Sequence, residues 1–167
     1  APSQGGQLSI QTTGNAQLQG SINTAATQDT ASTGTSSQGG QIDVQAQGDI
    51  EVNNATLDAS GGQGGSIALR AKASSQPDNP NPLPQQPDAP GQGRLAIMGN
   101  STLNTRGRGG QNGQGGITTL LGERSELLDN TLVDATGTTG GGEVQIGASP
   151  SLPLAEQCTG TREPECR

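Results

Sequence analysis

A glycine pair followed by alternating aliphatic residues recurs along this chain, and no other feature restricts its fold as much. Clear copies are Gly5-Gly6-Gln7-Leu8-Ser9-Ile10, Gly39-Gly40-Gln41-Ile42-Asp43-Val44, Gly64-Gly65-Ser66-Ile67-Ala68-Leu69 and Gly141-Gly142-Glu143-Val144-Gln145-Ile146. Gln92-Gly93-Arg94-Leu95-Ala96-Ile97 is a weaker copy. Gly115-Gly116-Ile117-Thr118-Thr119-Leu120 fits less well, because Thr118 stands where an aliphatic is expected. Successive copies begin 34, 25, 28, 23 and 26 residues apart. A second signature closes the copies: Ile22-Asn23-Thr24, Leu57-Asp58-Ala59-Ser60-Gly61, Leu103-Asn104-Thr105-Arg106-Gly107 and Val133-Asp134-Ala135-Thr136-Gly137. In the third copy an insertion replaces it.

Alternation with period two is a strand signal, with aliphatics on one face and polar residues on the other. Short strands in a unit of about 25 residues match one coil of a stacked solenoid. Glycine pairs are expected to supply positive φ at the corners between strands. The expected class is therefore all-β, a right-handed parallel β-helix of about five to six coils over residues 1–148. Leu8, Ile42, Ile67, Leu95 and Val144 should form one aliphatic ladder. Ile10, Val44, Leu69, Ile97 and Ile146 should form a second. Ile22, Leu57, Leu103 and Val133 should form a third, with Asn23, Asp58, Asn104 and Asp134 as a polar ladder beside it. Such a core is narrow. It suits a chain of 167 residues that has no Phe, Tyr or Trp and is 27% hydrophobic, which cannot build an aromatic-filled globular core.

Two stretches interrupt the repeat, and a third ends it. Residues 74–90 hold six prolines and read as an extended loop insertion, since proline cannot donate to a sheet ladder. Residues 27–38 read as a shorter Ser/Thr-rich loop. Residues 149–167 read as an irregular tail whose Cys158 and Cys166 close a local disulfide, which implies an oxidising compartment. Glu123 to Asp129 reads as a short turn, and the glycine-rich run 107–116 as a turn rather than a phosphate loop. No leader segment is recognisable at Ala1-Pro2-Ser3-Gln4, so the chain reads as a fragment or a processed product.

Several functions are disfavoured by what the sequence lacks. The net charge is −7 with eight scattered basic residues, so no nucleic-acid or anionic-lipid patch is expected. No apolar run is long enough for membrane insertion. There is no His, the commonest general base, and two cysteines alone do not complete a zinc site. Asp43, Asp49, Glu51, Asp58 and Asp134 supply carboxylates in number, but a glycosidase needs two facing one sugar bond. The calcium-binding β-roll needs a regular Asp that Gly61-Gly62-Gln63-Gly64-Gly65-Ser66 lacks. The expectation is no catalytic residue, no metal site and no cofactor.

Residues 39–44, 55–62, 132–137 and 141–147 resemble filamentous-haemagglutinin-type exoproteins of two-partner secretion systems, and the likeness covers roughly residues 4–148. The family forms long right-handed β-helices, exits through an outer-membrane transporter and often serves in adhesion. The resemblance implies a distal or C-terminal adhesive segment, secreted or held on the outer surface of a Gram-negative cell. It implies a two-partner transporter as partner through a region not recognisable in this chain, and a host-cell or surface glycan or protein as receptor. The alternatives are a carbohydrate-binding or degenerate polysaccharide-active β-helix, and a disordered secreted linker.

Overall fold

A computed structural model describes residues 3–27, 37–72 and 93–147. The insertion 74–90, the tail 149–167 with Cys158 and Cys166, and most of the 27–38 loop lie outside the described residues. Eleven strands occur among the described residues: β1 (Gln7–Thr12), β2 (Ala16–Asn23), β3 (Gln41–Ala46), β4 (Ile50–Asp58), β5 (Ser66–Ala71), β6 (Arg94–Met98), β7 (Thr102–Asn104), β8 (Ile117–Leu121), β9 (Arg124–Leu127), β10 (Leu132–Asp134) and β11 (Glu143–Gly147). Their only helical companion is a 3-10 turn at Gly110–Asn112. The class is all-β, and every strand pairing is parallel.

The strands form two sheets. The first runs in the order β1-β3-β5-β8-β11, and the second in the order β10-β7-β4-β6-β9 with β2 on β4. Each of the first four repeats supplies one strand to the first sheet and then one or two to the second. Inward aliphatics of both sheets meet in one core. Ile42, Val44, Ile50, Val52, Leu57, Ile67, Leu69, Leu95, Ile97, Leu103 and Leu120 are wholly buried. Burying such a side chain stabilises by about 1.5–3 kcal/mol, so a thin aliphatic stack replaces the missing aromatics.

The register confirms one ladder and corrects two. Ile22, Leu57, Leu103 and Val133 pair in sequence, as expected. In the first sheet the column runs Leu8, Ile42, Ile67, Thr118, Val144, and beside it Ile10, Val44, Leu69, Leu120, Ile146. Leu95 and Ile97 are not in these columns. They pair with Ile50 and Val52 in the second sheet, on columns that begin at Ala16 and Leu18 and end at Ser125 and Leu127. The stretch 92–97 is therefore the second half of the third repeat, not a fourth copy. Its single glycine is the physical reason, because only the strands of the first sheet follow a glycine pair. Arg124–Leu127 is a strand as well, not the expected turn.

The glycine pairs also work differently from expectation. None of them has positive φ; among the described glycines only Gly20, Gly93 and Gly99 do. Their role is close backbone approach. A Cβ on Gly39, Gly64 or Gly115 would lie closer than 3.0 Å to the carbonyl oxygen of Ala59, Thr105 or Ala135. The second glycine donates its N–H to those same carbonyls: Gly65 to Ala59 (2.9 Å), Gly116 to Thr105 (2.7 Å) and Gly142 to Ala135 (2.6 Å). The pair thus fastens the start of one repeat to the corner that precedes it.

The second sheet bends at a left-handed residue in every repeat: Gly20 (φ 83°), Asn54 (φ 49°), Gly99 (φ 69°) and Asp129 (φ 58°). Gly, Asn and Asp are the residues that enter this region at least cost. Their neighbours join the repeats. Gly99 N–H donates to Asp129 Oδ2 (3.2 Å), and Asn100 N–H donates to Asn54 Oδ1 (3.3 Å).

Candidate functional site

The polar ladder of the closing signatures has its expected register: Asn23, Asp58, Asn104 and Asp134 pair one above the other. Each side-chain oxygen accepts the backbone N–H two residues on. The donors are Ala25 (2.9 Å), Ser60 (2.9 Å), Arg106 (3.0 Å) and Thr136 (2.9 Å). This is an Asx turn repeated four times. It satisfies an amide at each strand end and sets the corner that the following glycine pair packs against. Asp58 and Asp134 are thereby structural acceptors.

The other carboxylates considered for chemistry are likewise engaged, and of them only Asp49 and Glu51 line a common hollow. Asp43 pairs with Arg70 across adjacent repeats at 3.1 Å. Asp49 Oδ1 accepts the Arg94 N–H (2.9 Å), and Glu51 accepts from the Gln17 amide (3.3 Å). Among the described residues, no group of three or more His, Cys, Asp or Glu side chains is placed to hold a metal ion. Arg106 and Arg108, beside the Asx ladder, are exposed.

One ion cluster had no sequence signal, because Arg94 lies 32 residues before its partner Glu126. Arg94 grips Glu126 Oε2 through Nε (2.9 Å) and Nη2 (2.6 Å), and Arg124 meets the other oxygen of the same carboxylate. The Arg94 hydrogen bond is the main reason that the Glu126 carboxyl titrates below its ordinary 4.5. The nearby charges of Arg94 and Arg124 add to it, and desolvation opposes it. The Thr136 hydroxyl, followed by the Thr136 N–H, likewise holds Asp134 below its ordinary 3.8. Both groups favour the charged form in the folded state. Their contribution is therefore present above those ordinary values and is lost as pH falls through the depressed ones. A melting-temperature series from neutral pH to pH 3 should decline below 4.5. Glu126→Gln, which cannot ionise, should flatten part of that decline. An unchanged slope in the variant would remove Glu126 from the account.

Inside the core, Thr118 has a partner that explains its departure from the aliphatic pattern. Its Oγ1 lies 3.2 Å from Thr105 Oγ1, and both side chains are wholly buried. Thr105 Oγ1 also donates to the Asp134 carbonyl (3.5 Å), so removing the Thr105 hydroxyl strands that of Thr118 in an apolar core, at about 1–3 kcal/mol, whereas removing that of Thr118 leaves Thr105 partnered. Replacing both is nearly neutral. Chemical denaturation should therefore show a larger loss in Thr105→Val than in Thr118→Val, and a recovery from the larger loss in the double variant. Additive losses would show that the hydroxyls are independent.

The surface carries one long depression. A groove of ≈ 440 Å³ crosses four repeats, floored by Gly39-Gly40 and Gly64-Gly65 and flanked along the chain by glutamines such as Gln4, Gln7, Gln38 and Gln41. Gln7 Nε2 donates to Gln41 Oε1 (2.9 Å), which joins the side-chain amides of the first two repeats. A floor without side chains and a rim of amides can receive an extended, uncharged, hydroxyl-rich chain. A smaller hollow of ≈ 230 Å³ lies at Asn15, Gln17, Asp49, Glu51 and Arg94. No family model matches the sequence, and neither the curated proteins nor the solved structures give a match.

Proposed function

We propose that this chain is a non-catalytic segment of a right-handed parallel β-helix, built as a stiff spacer within a secreted bacterial surface protein of the filamentous-haemagglutinin type. One observation carries the reading: each strand pairs in parallel with its counterpart one repeat away, in unbroken register in the first sheet and with a register shift between Leu18 and Gly20 in the second. A chain that returns to the same column every repeat gains length without changing cross-section. Such an architecture suits display and adhesion better than a buried reaction site. Right-handed connection is the sense that L-residues favour between parallel strands. The engaged carboxylates point the same way, since the five considered above hold turns and neighbouring repeats together.

The experiment is localisation in the producing cell. Antibody raised against the chain should label intact cells or the culture medium. Deleting the cell's two-partner transporter should abolish that signal. Wild-type protein confined to the cytoplasm overturns the reading.

A second reading has its own support in the glutamine-rimmed groove: binding of a neutral glycan along the stack. It predicts saturable calorimetric binding to a soluble polysaccharide, weakened in Gln7→Ala/Gln41→Ala, with no turnover. Absence of binding across a panel of neutral and acidic polysaccharides removes it.

A further inference from the structure

Among the described residues, the first sheet has two edge strands of the same kind, β1 and β11. At β11, Val144 and Ile146 occupy the inward columns yet are 43% and 51% exposed, with no described strand beyond them. At β1, Leu8 and Ile10 occupy the same two columns and are only partly buried. Each edge strand carries the motif that every interior junction of the first sheet joins without slip. Among the described residues, neither edge strand carries the basic side chains or prolines that usually prevent pairing. β1 and β11 contain no Pro, Lys or Arg, and residues 3–27 hold no charged side chain at all. No like-charge repulsion therefore opposes the approach of Glu143 on β11.

We propose that the β11 edge takes the β1 edge of a second copy of this chain as its next strand. Glu143 then lies against Gln7, Val144 against Leu8, and Ile146 against Ile10, continuing both aliphatic columns. The Gln7 amide, which donates to Gln41 within the chain, can meet Glu143 by the same geometry. The contact joins two different surfaces, so it does not close into a dimer. It propagates head to tail as an open filament. The partner's β2 stands two levels above β9, and among the described residues no second-sheet strand lies at the β11 level between them. The association is for that reason weak and dependent on concentration. This inference rests on the strand register and stands apart from secretion or adhesion.

Backbone directions supply the test. Gly6 and Thr12 turn their carbonyls to Gln41 (2.9 Å) and Gln47 (3.0 Å), so the amide of Ser9, in opposite phase, points to the free side of β1. Ser9→Pro removes no hydrogen bond of the fold and blocks an added strand. Ile146→Lys places a charge on the other edge, solvated in the single chain and buried at the junction. Sedimentation velocity on the full chain, from about 10 μM to about 1 mM, should show a coefficient that climbs past the dimer value without a plateau. Either variant should hold it at the monomer value, with an unchanged β-type circular dichroism spectrum. Should one variant lose that spectrum, the other decides. A wild-type chain that stays monomeric overturns the proposal, and β11 amides protected from exchange in that monomer would assign the edge to residues 148–167. An assembly that persists in folded Ser9→Pro overturns it too, by showing that β1 is not the contact.

Discussion

Gly64→Ala is expected to cost about 3 kcal/mol or more and to abolish folding at moderate temperature, whereas Gly141→Ala should leave stability unchanged or raise it by about 0.5 kcal/mol. Both are the first glycine of the same motif, so propensity and local sequence predict equal effects. Their surroundings separate them. A Cβ on Gly64 would come closer than 3.0 Å to the Thr105 carbonyl oxygen and to the Gly116 nitrogen and Cα. Those atoms are backbone, and they are held by the Gly116-to-Thr105 bond (2.7 Å) and by the bond from Gly64 N–H to the Gln114 carbonyl (2.8 Å). Relief requires parting two repeats along their whole junction, because each repeat is stabilised mainly by its neighbours. Around Gly141 nothing lies within 4 Å of the added carbon. Its φ is not positive, so alanine there mainly reduces the freedom of the unfolded chain. Urea denaturation followed by circular dichroism measures both. Equal losses at the two sites would mean that the motif serves turn conformation and not close approach.

That contrast marks how much of the fold the sequence made legible. The period-two alternation located the strands of the first sheet and the third aliphatic column. The recurring Asn or Asp before each corner located the Asx ladder. Alternation carries no label for which sheet a strand joins, so Leu95 and Ile97 read like members of the first sheet. Spacing held a better clue: Ile10 to Ala16 and Val44 to Ile50 are each six residues, the step from the second aliphatic of one sheet to the first inward position of the next. A glycine pair looks the same whether it serves positive φ or close packing, since both demand a missing Cβ. The Arg94–Glu126 cluster and the Thr105–Thr118 pair depend on which residues stack. That follows from the 51-residue step between Ser66 and Ile117, which the intervening insertion hides from pattern reading. Asn54 and Asp129 carried no pattern at all, because left-handed positions in Asn and Asp are permitted and not required.

Leu57→Ala should cost about 3–5 kcal/mol, while Val133→Ala, in the same column, should cost about 1 kcal/mol. Leu57 is wholly buried between Ile22 and Leu103. Truncation leaves a cavity with rigid strands on both sides, and strands bound into parallel ladders cannot move to fill it. Val133 ends the column among the described residues and is only partly buried, so neighbouring groups and water can adjust around the deletion. The size of the Leu57 effect has a second cause in the topology. β4 pairs with β2 on one side and with both β6 and β7 on the other, so it is the only described strand of the second sheet that links three others. Weakening it loosens the first two repeats from the last three, and nearest-neighbour coupling then permits them to unfold at different denaturant concentrations. The expected signature is a lower midpoint together with a broadened or two-step transition in Leu57→Ala, against a small parallel shift in Val133→Ala. Two sharp transitions of equal midpoint would show that the stack does not behave as a series of coupled repeats.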